Sequence, residues 1–340
     1  MSSRSIAAGL IAFGLFAAAC SGSDGAEDTT TTAAAPTTTA TTTTTQAETT
    51  TTAGAIGIDG ARSAVVQIVA TGTFQDPIAG EQANVPGSGS GFIIEESGLA
   101  VTNNHVVTGA AFLEVAVQGE SEPRNARVVG VSECADLAVI DIDGDGFTAL
   151  DWYEGPITAG LPIYAAGYPL GDPEYTLLEG IVAKENADGE TTWASIDSVI
   201  EHSADTLPGN SGGPILSDVG EVVAVTYAGN QLGQTFAIGR EVARPVVERL
   251  IQGEDFESIG VNGEAFFDGV FTGIWVYSVA SGSPADLVGV EPGDLITRLE
   301  GLELATDGTM ADYCDILRSH QPSDQLAIEV YRAAADEVLE

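Results

Sequence analysis

Short apolar runs separated by glycine occupy most of the chain between residues 56 and 236. Examples are the runs at 64–69, 91–94 and 137–142. Runs of this kind, rich in β-branched residues and bounded by turn-forming residues, are typical of β-strands. Many short strands at such spacing predict a sandwich or a barrel, and the helical spacing of apolar residues at 242–251 predicts a helix after them. The sequence therefore predicts a mainly β domain that ends in one helix.

A smaller module follows this β domain. Apolar runs at 273–277 and 326–331 predict strands, and the pattern at 310–319 is that of a helix. About 85 residues with such a mixture of elements suit a small α+β module. We therefore predict a first folded domain at 55–253 and a second at 254–340.

The N-terminal residues predict export rather than a folded domain. Residues 1–19 combine one arginine with an apolar run that is too short to span a membrane, as in a signal peptide. Small residues before and after Cys20 fit lipidation of that cysteine, with cleavage to a free secreted form as the alternative. The Thr-rich tract at 20–54 cannot bury enough apolar surface to offset chain entropy, so we expect a disordered tether. The expected location is the outer face of the bacterial cytoplasmic membrane or the cell envelope.

The charge balance excludes one broad class of function. The chain has 50 acidic residues against 11 Lys and Arg, a net charge of −39. Such a surface repels nucleic-acid phosphates and anionic lipid headgroups. We therefore expect no nucleic-acid partner and contact with a membrane through the lipid anchor alone. No metal-ligand spacing, phosphate-binding loop or cofactor motif occurs in the sequence, so no metal and no cofactor are predicted.

The other two cysteines, Cys134 and Cys314, lie in different predicted domains. Two cysteines do not make a disulfide framework. A bridge between the domains is one alternative, but we expect two unpaired thiols, with Cys134 packed in a core.

A glycine-rich turn at 209–214 carries the strongest chemical signal, with Ser211 inside it. A serine hydroxyl is a poor nucleophile unless a base removes its proton, and the oxyanion that forms needs hydrogen-bond donors. Glycine lets the backbone fold so that the amides of Gly209 and Ser211, with Asn210 between them, converge as an oxyanion hole. A tight turn with a spectator serine is the alternative interpretation of this motif alone.

His105 and Asp136 are the candidate base and its orienting acid. His105 follows a predicted strand, and Asp136 stands at the head of the apolar run at 137–142. A carboxylate there can accept a hydrogen bond from the imidazole Nδ1 and select the correct tautomer. The order His, Asp, Ser along the chain is the chymotrypsin-like one and differs from that of subtilisins and α/β-hydrolases. The three motifs together predict a serine endopeptidase with Ser211 as its nucleophile.

Further motifs share a pattern with a known family. They are the segments at 87–91, 102–107, 136–140, 167–171 and 209–214, and in the second module those at 281–285 and 289–296. Together they resemble the HtrA/Deg family of trypsin-like serine proteases with PDZ domains. The resemblance implies a mainly β fold, a chymotrypsin-like double six-stranded β-barrel followed by one α+β PDZ domain. It also allows a homotrimer, because family members are often trimers.

The resemblance also implies binding residues. Those expected to line the first specificity pocket are Thr226, Tyr227, Ala228, Phe236 and Ala237. No acidic residue occurs at 234–238, which favours small or apolar side chains at the cleaved position. Those expected to form the carboxylate-binding loop of the PDZ domain are Ser258, Ile259, Gly260 and Val261. The amides of this loop would hold the C-terminal carboxylate of a peptide added to a sheet edge.

The expected function is cleavage of unfolded or damaged cell-envelope proteins through an acyl-enzyme, with PDZ recognition of polypeptide C-termini. The alternative is a chaperone-like peptide-binding protein with little or no resting proteolysis, since a disordered active site gives that behaviour even with a full triad. The chain departs from the family at 202–204, where Thr-Asp-Ala is common and His202 stands here. We expect His202 and His320 to be exposed and inert.

Overall fold

The first domain consists of two closed six-stranded β-barrels, which confirms the fold predicted from the sequence. The computed structural model describes residues 56–230 and 232–340. The predicted signal peptide, the lipidation site Cys20 and the tether lie outside the described residues. Within these described ranges, no helix is both long and apolar enough to cross a membrane.

The first barrel contains six antiparallel strands and has two short helices beside it. The strands are β1 (Val65–Asp76), β2 (Gly80–Ile93), β3 (Leu99–Thr102), β4 (Ala110–Ala116), β5 (Arg124–Ser132) and β6 (Leu137–Ile142), and the helices are α1 (Gly57–Ala61) and α2 (Asn104–Val107). The strands close in the order β1-β2-β3-β6-β5-β4. Alternate side chains such as Ile68, Ile93 and Val115 are fully buried in the barrel, as the period-two geometry of a strand requires.

The second barrel and one helix complete this domain. Its strands are β7 (Pro162–Gly167), β8 (Thr176–Ala187), β9 (Val199–His202), β10 (Pro214–Leu216), β11 (Val222–Gly229) and β12 (Thr235–Gly239), followed by helix α3 (Arg240–Leu250). They close in the order β10-β11-β12-β9-β8-β7. Helix α3 packs Ala243, Val247 and Leu250 into a core shared by both barrels. The sequence did not predict β8, β9 and β10. Strand β8 is mostly exposed, β9 has only four residues, and β10 is a three-residue strand that begins with proline.

The second module is an antiparallel sheet with two helices. Its strands are β13 (Val261–Phe267), β14 (Thr272–Val279), β15 (Asp294–Leu299), β16 (Leu302–Glu303), β17 (Ile328–Arg332) and β18 (Glu337–Leu339), and its helices are α4 (Pro284–Leu287) and α5 (Ala311–Arg318). The sheet order is β13-β14-β15-β17-β18, with β16 paired to β15. Strand β13 therefore lies at an edge of the sheet.

A disulfide joins the two domains, which pack within one compact unit. Cys134, in the turn before β6, is bonded to Cys314 of α5, and their Cα atoms are 5.5 Å apart. The prediction of two unpaired thiols is therefore wrong. That prediction was based on the position of the two cysteines in separate domains. Only the docking of the second module brings them together. Cys134 is packed, as expected, but in the core of the second module.

His202 is buried, so the prediction of an exposed residue is wrong. Its side chain lies at the end of β9, and β9 pairs with β12 so that His202 is opposite Thr235. Burial lowers the pKa of His202 to about 4, against a weaker opposing effect of a backbone hydrogen bond at Ala204. His202 is therefore neutral at physiological pH. His320 is half-buried, with Nδ1 2.8 Å from the carbonyl oxygen of Ile316.

Candidate active site

The two barrels supply different parts of one cavity. His105 lies in α2, directly after β3, and Asp136 immediately precedes β6. Because β3 pairs with β6, the two residues are neighbours at one end of the first barrel. Ser211 lies on the turn that leads into β10 of the second barrel. His105 and Ser211 both line a cavity of about 590 Å³, so the predicted residues come together.

His105 and Asp136 form a doubly hydrogen-bonded pair. Nδ1 of His105 is 2.7 Å from Oδ2 of Asp136, and the His105 amide donates to Oδ1 at 2.9 Å. Asp136 is buried, and its own carbonyl oxygen accepts from the side chain of Asn103 at 2.7 Å. Burial works to lower the pKa of His105, but the charge of Asp136 and the hydrogen bond to it outweigh burial and raise that pKa. With its proton held on Nδ1, the neutral imidazole keeps Nε2 as a base.

The turn around Ser211 has its peptide groups oriented by specific contacts. The carbonyl oxygen of Pro208 accepts from the Leu170 amide at 2.7 Å, and that of Asn210 accepts from the Gly213 amide at 2.9 Å. In a trans peptide the C=O and N–H groups point in opposite directions, so the amides of Gly209 and Ser211 face away from these contacts. Within the described residues, neither amide donates to another group of the protein. Both are therefore available as donors to a bound oxyanion.

Glycine is required at Gly212 for two reasons. Its φ is +81°, a left-handed conformation that side chains disfavour. A Cβ atom there would also lie 2.3 Å from Oγ1 of Thr102 and 2.4 Å from the carbonyl oxygen of Ser90. The turn that carries Ser211 is therefore packed directly on the first barrel.

Ser90 anchors the turn that carries Ser211 through hydrogen bonds. The sequence did not predict this role. Its Oγ donates to the carbonyl oxygen of Gly209 at 2.7 Å and accepts from the Tyr168 amide at 2.9 Å. Its amide donates to the carbonyl oxygen of Ser211 at 2.9 Å. The motif at 87–91 contained the signal, but the partners of Ser90 lie on the other barrel and could not be assigned from sequence.

The predicted specificity residues divide into two groups. Thr226, Tyr227 and Ala228 line the cavity with His105 and Ser211. The other two belong to β12 and are not among the residues that line it, because Ala237 is fully buried in the second barrel and Phe236 packs half-buried on the shared core.

Trp193 is a cavity residue that the sequence did not reveal. Its ring contacts that of His105 edge-on, with centroids 6.0 Å apart, and that of Tyr227 at the same distance. It lies in the segment between β8 and β9, which has no periodic pattern. Trp193 therefore forms an aromatic wall beside the predicted base.

The second module also lines the cavity. It contributes Asn262, Gly263, Glu264 and Tyr277. The carboxylate of Glu264 accepts from the hydroxyl of Thr192 at 2.6 Å and from that of Tyr277 at 2.7 Å. Burial and this carboxylate raise the pKa of Tyr277, which remains a hydrogen-bond donor. The cavity is thus completed by a domain that the sequence predicts to be separate.

The predicted carboxylate-binding loop does hold a carboxylate, and it belongs to the first domain. The donors to Oε1 of Glu133 are Ser258 Oγ at 2.6 Å and the amides of Ile259 at 3.1 Å, Gly260 at 2.7 Å and Val261 at 2.9 Å. The loop therefore supplies four hydrogen-bond donors to one carboxylate oxygen.

Comparisons with known proteins agree with this architecture. Residues 89–225 match the model of a trypsin-like peptidase domain, and residues 275–332 match that of a PDZ domain. The solved structure of the HtrA-type protease AlgW with a decapeptide is similar, with a TM-score of 0.51 and 26% identity, covering 82% of this chain and 93% of that one.

Curated relatives carry the same family name. The serine protease Do-like HtrA of Bacillus subtilis is 31% identical over 280 residues, which is 72% of this chain and 61% of that protein. The protein of that name from Lactococcus lactis is 30% identical over 291 residues, 75% of this chain and 70% of the relative. The chain thus spans less than two thirds of the Bacillus protein and more than two thirds of the Lactococcus one. With its two barrels and its second module, this chain belongs to the HtrA family of serine proteases.

Proposed function

We propose that this protein is a serine endopeptidase that cleaves peptide bonds through an acyl-enzyme at Ser211. The observation that carries the proposal is the pairing of His105 with Asp136 in a cavity that also contains Ser211. A buried carboxylate on Nδ1 leaves Nε2 free to act, which is the arrangement that activates a serine.

The mechanism assigns a role to each of these groups. Nε2 of His105 takes the proton of Ser211 as Oγ attacks the scissile carbonyl carbon. The amides of Gly209 and Ser211 donate to the oxyanion, and Asp136 stabilises the imidazolium. His105 then protonates the leaving amine, and water releases the acyl group with His105 again as base. Asn210 stays between the two oxyanion donors and sets their spacing.

The proposed substrates are unfolded or damaged proteins of the cell envelope. The relative from Hahella chejuensis is named as a probable periplasmic serine endoprotease, and residues 1–19 have the pattern that predicts a signal peptide. A site at the envelope, anchored at Cys20 or secreted, meets such chains. Ala228 and Gly229 in the cavity support a preference for small or apolar side chains at the cleaved position. A homotrimer stays a prediction.

The proposal includes recognition of polypeptide C-termini by the PDZ domain. Its support is the donor set of the loop at 258–261, three amides and one hydroxyl on a single carboxylate oxygen. Backbone nests of this kind capture C-terminal carboxylates. Because Glu133 occupies the loop, a peptide must displace its carboxylate in order to bind.

An activity-based fluorophosphonate probe tests the proposed function. We expect labelling of the wild-type protein and none of Ser211→Ala. The matched control is Ser121→Ala, which changes an exposed serine and should leave labelling intact. No labelling of the wild type, even with casein or a peptide with a free C-terminus added, would favour the chaperone-like alternative.

A further inference from the structure

Glu133 is a buried carboxylate that belongs to one domain and is held entirely by the other. It is 2% exposed. Besides the four donors to Oε1, the hydroxyl of Tyr313 donates to Oε2 at 2.5 Å. All five donors belong to the PDZ domain. Among the described residues, no Lys or Arg contacts this carboxylate, so hydrogen bonds alone offset the cost of burying it.

The chemistry of this contact matches that of a bound peptide C-terminus. Three consecutive amides, those of Ile259, Gly260 and Val261, converge on one oxygen, as in the capture of a terminal carboxylate. Burial raises the pKa of Glu133, and the hydrogen bonds from the loop and from Tyr313 offset only part of that rise. Without a carboxylate these amides would be buried and unsatisfied.

Other segments of the protease domain contact strand β13 and helix α5 of the PDZ domain. On the edge strand β13, the amide of Ala265 donates to the carbonyl oxygen of Thr192 at 2.6 Å. In helix α5, Cys314 is covalently bonded to Cys134. Strand β13 and helix α5 are therefore both attached to the protease domain.

Glu133 is part of the turn that carries Asp136, the proposed orienting acid. The carbonyl oxygen of Glu133 accepts from the amide of Asp136 at 3.1 Å. Asp136 has φ of +48°, a left-handed conformation that is uncommon in residues with a side chain and that aspartate adopts occasionally. Such a conformation persists where the surroundings impose it. The PDZ domain holds this turn at Glu133 and at Cys134.

We propose that Glu133 is the resident ligand of the PDZ carboxylate loop and that, through it, the PDZ domain positions Asp136 against His105. The Cys134–Cys314 disulfide keeps the ligand in place. The effect on catalysis rests on the proposed function, whereas the occupancy of the loop does not. Two experiments separate these parts.

The first experiment measures kinetics on a short peptide substrate with an amidated C-terminus, which cannot engage the loop. For Glu133→Ala we expect kcat to fall by about tenfold or more, because small displacements of catalytic groups are costly, with KM within about twofold. The acidic limb of the pH–kcat profile should move to lower pH as the contact of Asp136 with His105 loosens. Glu133→Gln keeps an acceptor oxygen and should retain more activity than Glu133→Ala.

The matched control is Glu122→Gln, which changes an exposed glutamate and should match the wild type in kcat and pH profile. Thermal melts establish that each variant is folded at the assay temperature. A folded Glu133→Ala with unchanged kcat and unchanged pH profile would overturn the positioning role.

The second experiment does not depend on proteolysis. In a Ser211→Ala background, binding of a fluorescein-labelled peptide with a free, apolar C-terminus is followed by anisotropy. We expect weak binding to the oxidised protein, because the peptide must displace Glu133, and much tighter binding once Glu133→Ala is combined with Cys134→Ser and Cys314→Ser. The amidated form of the same peptide should bind to neither. Two outcomes would overturn the assignment of Glu133 as resident ligand. The free-carboxylate peptide could bind equally to the oxidised and the triply substituted protein, or it could bind to neither.

Discussion

Nδ1 of His105 lies 2.7 Å from Oδ2 of Asp136, and the amide of the same histidine donates to the other carboxylate oxygen at 2.9 Å. One carboxylate therefore orients both the ring and the backbone of His105. Because β3 and β6 are neighbours in the first barrel, this relationship is fixed by strand pairing. It supports the proposed roles of both residues.

Asp136→Asn should lower kcat/KM by a factor on the order of 10⁴, because an amide favours the wrong imidazole tautomer. His105 must be neutral to act as a base, so wild-type activity should fall as the pH drops through its raised pKa. In the variant this acidic limb should lie at lower pH. The raised pKa of His105 also adds to the free energy of unfolding. This contribution is fully present at a pH below about 6.5, the pKa of histidine in the unfolded chain, and it is lost as the pH rises through the pKa in the folded protein.

Rates at high enzyme concentration, measured across pH, test this prediction. Asp141→Asn is the matched control, since Asp141 lies on β6 in a surface ion pair with Arg127 and such pairs contribute little. A loss of less than tenfold in Asp136→Asn would contradict the role of Asp136.

Ser90→Ala should lower kcat by about tenfold or more with little change in KM, because the turn that carries Ser211 loses an anchor. It leaves the Gly209 carbonyl and the Tyr168 amide without their partner. The free energy of unfolding should fall by about 1–3 kcal/mol. Steady-state kinetics and urea unfolding measure the two effects. Ser88→Ala removes an exposed hydroxyl from the same motif and should lower neither kcat nor the free energy of unfolding. Similar losses in both variants would contradict the role of Ser90 in anchoring the turn.

Gly212→Ala should destabilise the protein more than Gly160→Ala does. Both glycines have positive φ, +81° and +90°, which costs alanine about 1–2 kcal/mol. Around Gly160 a Cβ atom meets nothing within 4 Å, whereas at Gly212 it meets Thr102 at 2.3 Å. Overpacking of this kind adds about 1–3 kcal/mol. Urea unfolding of the two variants measures the difference, and equal losses would contradict the packing of this turn on the first barrel.

His202 should make the protein less stable in acid. It is buried, and its pKa in the folded protein is about 4, below the unfolded value of about 6.5. Below pH 6.5 the unfolded chain therefore binds more protons, and stability falls until the pH nears 4. Between pH 7 and pH 5 this residue should cost about 2 kcal/mol.

The difference in unfolding free energy between pH 7 and pH 5, with and without His202→Gln, measures this contribution. His320→Gln keeps His202 and serves as the matched control. If His202→Gln and the wild type lose the same stability on acidification, the buried neutral imidazole does not contribute.

Much of the fold could be predicted because strand signals are local. The run at 137–142 coincides with β6 (Leu137–Ile142), since alternating burial leaves a direct trace in the sequence. Strand β8 left no such trace, because it exposes most of its residues. The motif around Ser211 was also local, because the positive φ of Gly212 favours glycine at that position.

The sequence by itself determined the two β-barrels, the order of His105, Asp136 and Ser211, and the donor-rich loop at 258–261. Only the tertiary structure decided what that loop holds. Glu133 and Gly260 are 127 residues apart, Cys134 and Cys314 are 180 apart, and Ser90 and Gly209 are 119 apart. Local patterns encode turns and strands, but contacts between distant segments depend on how folded surfaces fit together. The docking of the PDZ domain onto the turn that carries Asp136 is such a contact.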